Sequence, residues 1–461
     1  MAGIGFELKK VLQRGGIVRF IGVSLAGTAI VAGPWLLSVL GIFLIQRYAG
    51  LVLTEAPMLF SASIVYCYAF SLMIFSGLHY IFTRQVSDLI YEDKNREAGS
   101  ALLSFLLFTL AASAAVAAAG ILPLKLESAL SRPQLFRVSA GALFVAINLN
   151  WVLMSFVSLL KSYAGILLVY IGGSLISFLG VLLLGGAYAT GGAVLGYAAG
   201  QCFTVAVLYA MTLARFRPAG ISLAGLFRYL ARYRFLFLSG LLYAWATWAD
   251  KVVFWFAFGA RVGGGWMFVF DSYDVPMFFA ILTLIPSLIY FTIETETSFY
   301  PRLREFLRCV GAETWRRIQE KKRAMIGSLG AGLREQSILQ ALVSVTLIIL
   351  APAVGRALFG PEVNVAALRL VLAAVFFHSL FLSLMIFLFY LELYGRAFVA
   401  TFVFFAVNLA ASVGTALIGG TGLLGLSYIA GGAAGSAAAG IFLSRSIRRI
   451  DRTLFIRAAG G

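Results

Sequence analysis

Apolar runs long enough to cross a bilayer recur between residues 18 and 444, parted by short polar segments. A hydrocarbon core of about 30 Å needs about 20 apolar residues in a helix. A soluble core cannot hide so many runs of that length. Barrel strands are excluded, because they would be about 10 residues long with alternating polarity. Only 12% of the residues are charged, and mean hydropathy is +0.95, whereas soluble domains are about one quarter charged. The sequence therefore predicts an all-α, polytopic membrane protein.

Charge gives the topology. The net charge of +17 reads as a topological signal, and no nucleic-acid partner is expected. With twelve spans and the N-terminus inside, 28 Lys and Arg fall in inner segments. Six fall outside (Arg47, Lys125, Arg132, Arg137, Arg261 and Arg356), and Lys251 and Arg369 remain within spans. That asymmetry obeys the positive-inside rule. It predicts twelve transmembrane helices, both termini in the cytoplasm and a multi-pass protein of the inner membrane. A basic linker near 214–233 divides the spans six and six, which predicts one lobe over 1–225 and another over 226–461. Met1–Phe20 has no apolar core before a cleavage site, so no removable signal is expected. Cys67, Cys202 and Cys309 are too scattered for a zinc site or a disulfide framework. No cofactor or metal is expected.

Small residues mark close helix contacts. Gly196–Gly200 and Gly431–Gly435 are G-x-x-x-G pairs, which let helix backbones approach. Gly327, Gly330 and Gly332 lack a preceding strand and a following Gly-Lys-Ser/Thr, so they are not a phosphate loop. The segment near 294–336 reads as a basic cytoplasmic loop. In it Leu303, Phe306, Leu307 and Val310 recur at helical spacing, as do Trp315, Ile318, Met325 and Leu329. Two short amphipathic helices on the inner leaflet are expected there, with a docking platform for a cytoplasmic partner as the alternative.

The chemistry-bearing stretch is 243–256. Asp250 and Lys251 sit inside an apolar span, where a charge costs at least about 2.5–3.5 kcal/mol and usually has a partner or a function. Adjacent residues do not face each other on a helix, so each is expected to find a partner elsewhere. Trp245, Trp248, Val252 and Trp255 share one helix face, of a kind that suits the apolar faces of sugar rings or simple packing. Tyr243, Thr247, Asp250 and Phe254 favour another. The next span opens with Asp271, Tyr273, Asp274 and Pro276, carries Pro286, and ends near Glu294 and Glu296. Two prolines predict a bent helix that lines a cavity or acts as a gate. A bridge from Lys251 to Asp274 or Asp271 is the expected pairing. Pro34 and Trp35, in Ala32-Gly33-Pro34-Trp35, predict a second bend in the first span, which has no Asp or Glu. His79 and His378 each stand alone in apolar spans and read as hydrogen-bonded packing.

These stretches resemble the PelG family of exopolysaccharide transporters. The resemblance lies in Met1–Lys10, in Ala32-Gly33-Pro34-Trp35 and in Thr83-Arg84-Gln85-Val86-Ser87-Asp88-Leu89-Ile90-Tyr91. It continues through Trp248-Ala249-Asp250-Lys251-Val252-Val253-Phe254-Trp255-Phe256, Tyr273-Asp274-Val275-Pro276, Ile285-Pro286 and Ile293-Glu294-Thr295-Glu296. It implies a twelve-helix member of the multidrug/oligosaccharidyl-lipid/polysaccharide exporter superfamily, with two six-helix lobes around a V-shaped cavity. The implied cargo is a growing, uncharged amino-sugar polymer rich in N-acetylgalactosamine. The implied partners are a cytoplasmic glycosyltransferase (PelF-like) and PelD- and PelE-like membrane subunits. The site residues named above would then form the substrate path or its gate.

Other readings are a lipid-linked oligosaccharide flippase, a small-molecule exporter, a scaffold for a synthase complex, or an integral-membrane enzyme. The first span offers no cation-binding carboxylate, which disfavours an antiporter. Few arginines lie within spans, which disfavours a pyrophosphate-lipid flippase. With no nucleotide-sugar domain and no trusted catalytic His and Asp, no enzyme is expected.

Overall fold

The computed structural model describes Tyr48, Leu53 and 55–451, apart from 158–162, 217, 219, 264, 311, 361 and 362. The Pro34–Trp35 bend lies outside the described residues. Helices dominate: α1 (Pro57–Tyr91), α2 (Asn95–Ile121), α3 (Pro133–Val157), α4 (Tyr163–Arg215), α5 (Ala224–Arg232) and α6 (Arg234–Phe258) come first. A hairpin of β1 (Ala260–Val262) and β2 (Met267–Val269) follows. Then come α7 (Asp271–Leu282), α8 (Ile285–Glu294), a π-turn (Thr295–Phe299), α9 (Tyr300–Cys309), α10 (Trp315–Phe359), α11 (Val365–Tyr390), α12 (Tyr394–Ile418) and α13 (Leu426–Arg448). Among the described residues, nine helical stretches are long and apolar enough to cross a membrane. Helix α6 is not one of them, since its charges and its Trp- and Tyr-rich face lower its mean hydropathy.

The described chain forms two compact units. In the N-terminal unit (53–248 and Trp255–Phe270), α4 is broken at Tyr188 and Ala189, where φ is −131° and +52°. The halves fold back on each other. A Cβ on Gly180 would come within 2.8 Å of Gly196 Cα, so the small-residue motif at Gly196–Gly200 is a close helix contact. Helices α1 and α6 approach equally closely, since a Cβ on Gly77 would meet Phe237 O at 2.6 Å. The hairpin is tied down by side chains. Tyr66 Oη donates to Phe268 O at 2.9 Å and accepts from Phe268 N at 2.8 Å. Trp266 Nε1 donates to Gly120 O at 3.0 Å.

In the C-terminal unit (271–451 and Ala249–Phe254), the proline-bearing span is segmented. Pro276 lies within α7, and Pro286 in the first turn of α8, where its missing N–H leaves no helical bond unmade. A turn at Thr283 and Leu284 separates the two helices. Gly431 and Gly435 of α13 bear on Phe404 of α12, again a packing contact.

The segment 294–336 departs from expectation. Trp315 opens a 45-residue helix that runs without interruption to Phe359, so the span expected from 337 has no separate start. No proline interrupts α10 before Pro352, and Gly327 and Gly330 lie in its exposed interior. Of the expected amphipathic positions, Leu303, Phe306, Ile318, Met325 and Leu329 are buried, whereas Val310 is half-buried and Leu307 and Trp315 are exposed, 47% and 60%. Lys322 clasps the end of α13, bridging to Asp451 at 3.0 Å and donating to Arg448 O at 2.9 Å.

Candidate functional site

Asp250 and Lys251 lie within the C-terminal unit, 0% and 6% exposed. Lys251 Nζ stands 3.4 Å from both Asp250 carboxylate oxygens. This corrects the expectation that sequence neighbours on a helix could not neutralise each other. Helix geometry separates their Cβ atoms, but the four-carbon lysine stem is long enough to curl back over its neighbour. Lys251 thus pairs with Asp250; a bridge from Lys251 to Asp274 or Asp271 was the expectation. Those two acids occupy the first turn of α7, where a helix N-terminus favours negative charge.

Three further helices complete the cluster. Tyr273 of α7 is fully buried and donates to Asp250 Oδ2 at 2.5 Å. Phe254 meets its ring edge-on, with centroids 5.0 Å apart. Tyr428 of α13 presents its ring to the ammonium, with Nζ 5.1 Å from the centroid, and the Tyr273 ring stands at 6.0 Å. Both distances are within reach of a cation–π attraction. The Tyr428 hydroxyl bonds His378 Nδ1 of α11 at 2.5 Å. One ammonium is thus held by a carboxylate and two aromatic faces, and four helices meet on it. The cluster reads as a cage for a fixed cation. His378 was legible only as a packing histidine, and Tyr428 carried no signal in sequence; 50 residues separate them.

A second polar seam joins α8, α10 and α11. Ser287 Oγ donates to Gln340 Oε1 at 2.6 Å and lies 3.3 Å from Ser379 Oγ. Gln336 Nε2 donates to Ser379 Oγ at 2.7 Å, and Ser383 Oγ donates to Gln336 Oε1 at 2.6 Å. All five side chains are buried. Gln336, Gln340 and Ser344 recur every four residues, a helical polar stripe that the sequence reading passed over. Interhelical bonds of this kind hold membrane helices together, at about 0.6 kcal/mol each on average.

The remaining expected residues are dispersed. Trp255 is buried in the N-terminal unit, stacked on Tyr66 at 4.8 Å, with Trp248 at 5.9 Å. Trp245 and Tyr243 are half-buried, and Asp271 and Pro286 are exposed. Asp274 and Glu294 are half-buried, while Pro276 and Glu296 are buried. Glu296 sits in the π-turn, a distortion that recurs at functional sites. Glu294 and Glu296 come more than 20 residues after Asp271, at the far end of α8 from the cage. Among the described residues, no three His, Cys, Asp or Glu gather to hold a metal ion.

A profile for PelG, described as "Putative exopolysaccharide Exporter (EPS-E)", matches residues 1–455. No curated protein matches the chain. Among solved structures, the chain is similar to a MATE transporter in the bent conformation, with TM-score 0.65 and 13% identity over 98% of this chain and 100% of that one. It is also similar to an outward-facing multidrug resistance MATE transporter of the MOP superfamily (TM-score 0.59, 13% identity, 94% and 96% covered). A third is the Vibrio cholerae MATE transporter VcmN in the bent form (TM-score 0.60, 12% identity, 98% and 99% covered). At such identities the likeness is one of fold.

Proposed function

Because the chain belongs to the PelG family of exopolysaccharide exporters, we propose that it moves a growing amino-sugar polymer of the Pel type across the inner membrane. The observation that carries this reading is the family match over 455 of 461 residues, on a chain with a membrane transporter's fold. In this proposal twelve helices form two six-helix lobes. The nine apolar stretches become ten at the break in α4, eleven with α6, and twelve with the span at 18–45. Both termini face the cytoplasm. A PelF-like glycosyltransferase supplies polymer, and PelD- and PelE-like subunits complete the assembly.

The roles of the site residues follow from their chemistry. Trp245 and Trp248 offer half-buried aromatic surface suited to sugar faces. Asp250 and Lys251 neutralise each other, so the cage adds no net charge that an uncharged polymer would have to pass. Pro276 within α7 and the turn before Pro286 supply the gate. The test is Trp248→Ala in cells that carry the whole synthesis system. Polymer should fail to reach the periplasm while the variant still co-purifies with the glycosyltransferase. Undiminished export would overturn the assignment, and loss of co-purification would favour a scaffold. The likeness to multidrug transporters supports a second reading, a small-molecule exporter. Drug sensitivity on deletion with unaltered secreted polymer would favour it.

A further inference from the structure

We propose that the N-terminal unit holds one anionic phospholipid in an intramembrane groove between α2, α3 and the second half of α4. The groove has a volume of about 630 Å³, within the range of about 300–1,000 Å³ usual for small-ligand sites. Its walls are apolar, and its exposed lining includes Ala114, Ala142, Cys202 and Ala206. All three helices are apolar enough to span a membrane, so the groove opens where acyl chains are the solvent.

Arg137 closes one end of this groove. Its side chain is only 12% exposed, and Nη2 donates to Glu127 Oε1 at 2.7 Å and to Leu124 O at 2.8 Å. Among the described residues its Nε is buried and without a hydrogen-bond partner. Nε is sealed from the groove, so the edge of the guanidinium that a phosphodiester oxygen can reach is Nη1, which carries no hydrogen bond among the described residues. Arg137 lies in the second turn of α3, close to the helix start, which is headgroup depth. Leu149 lines the other end, twelve residues on, or about 18 Å along the helix. One leaflet of a hydrocarbon core about 30 Å thick is close to that length. The groove thus matches one lipid: phosphate on Arg137, acyl chain along α3 to mid-membrane. The segment 122–137 carries Lys125, Arg132 and Arg137 against the single acid Glu127, which selects an anionic headgroup such as phosphatidylglycerol.

Cys202 in the groove wall is a free, exposed thiol and reports occupancy. Cys67 is buried, and Cys309 can be removed as Cys309→Ser. The full-length protein is placed in nanodiscs of phosphatidylcholine alone or mixed with phosphatidylglycerol, and maleimide labelling of Cys202 is timed. Phosphatidylglycerol should slow labelling severalfold, Arg137→Gln should abolish the difference, and Arg137→Lys should retain part of it. Ala142→Phe, which fills the groove and leaves Arg137 in place, should remove the phospholipid adduct seen by native mass spectrometry. Equal labelling in both bilayers would overturn the proposal. Protection by soluble N-acetylgalactosamine oligomers in place of phosphatidylglycerol would overturn it in favour of a sugar site.

Discussion

Lys251→Met tests the cation cage most directly. The substitution keeps the stem's bulk and removes the ammonium, leaving the Asp250 carboxylate buried with Tyr273 as its hydrogen-bond donor. At 3.4 Å and an effective dielectric of about 20, the attraction lost is about 5 kcal/mol. Removing one partner of a buried pair costs about 3–5 kcal/mol by experience, whereas replacing both by neutral groups of similar shape is often close to neutral. A change of 1 kcal/mol moves the melting temperature by about 2–4 °C for a body of 150–250 residues. Lys251→Met should therefore lower the apparent Tm by about 6–20 °C. Asp250→Asn combined with Lys251→Met should recover most of that loss. The assay is a thermal ramp on detergent-solubilised protein, read by fluorescence-detected size exclusion. A double variant as unstable as the single one would refute the pairing. A single variant melting with the parent would refute the cage altogether.

Tyr428→Phe keeps the ring beneath the ammonium and removes the hydroxyl bonded to His378. Leaving that buried nitrogen unmet should cost about 1–3 kcal/mol, and Tyr428→Leu should cost about 0.5–2 kcal/mol more by removing the ring's attraction for Lys251; equal melting of the two variants would exclude the cation–π contribution. Glycine substitutions should divide by environment. Gly77→Ala drives a Cβ toward Phe237 O and should destabilise by about 1–3 kcal/mol. Gly327→Ala meets nothing within 4 Å in an exposed helix interior and should stabilise by about 0.5–1 kcal/mol. The same thermal ramp checks both, and a loss at Gly327 would show that its face is covered.

Local regularities were readable from the chain, and tertiary coincidences were not. Apolar length marked the helices, and the glycine pairs at 196–200 and 431–435 marked close contacts, because both signals are carried within one helix. Pro286 marked the break before α8 for the same reason, while Pro276 lies within α7. The length of α10 was misread because its basic first half was taken for a loop carrying short helices; the helix is clasped at Lys322 and held further along by Gln336 and Gln340. The Asp250–Lys251 pair was misread because backbone periodicity constrains where Cβ atoms stand and says little about where a lysine Nζ, several bonds further out, can reach. His378 and Tyr428 could be joined only by the packing of α11 against α13.

The cage also shows why a membrane helix can retain two charges. An ammonium in hydrocarbon is tolerated when its field is closed locally, and here a carboxylate and two tyrosine faces close it, with one tyrosine anchored by His378. The consequence is mechanical. Any motion of α6 relative to α7 and α13 must part Tyr273 from Asp250 and the Tyr428 ring from Lys251, giving up a hydrogen bond to a charged group of about 1.5–3 kcal/mol and a cation–π attraction of about 0.5–2 kcal/mol. Motions that carry the four helices together incur no such cost. The conformations of this unit should therefore differ by movement of the knot as one body. A cysteine pair linking α6 to α7 beside Tyr273 should then leave polymer export intact, and loss of export on cross-linking, with restoration on reduction, would show that the knot must open.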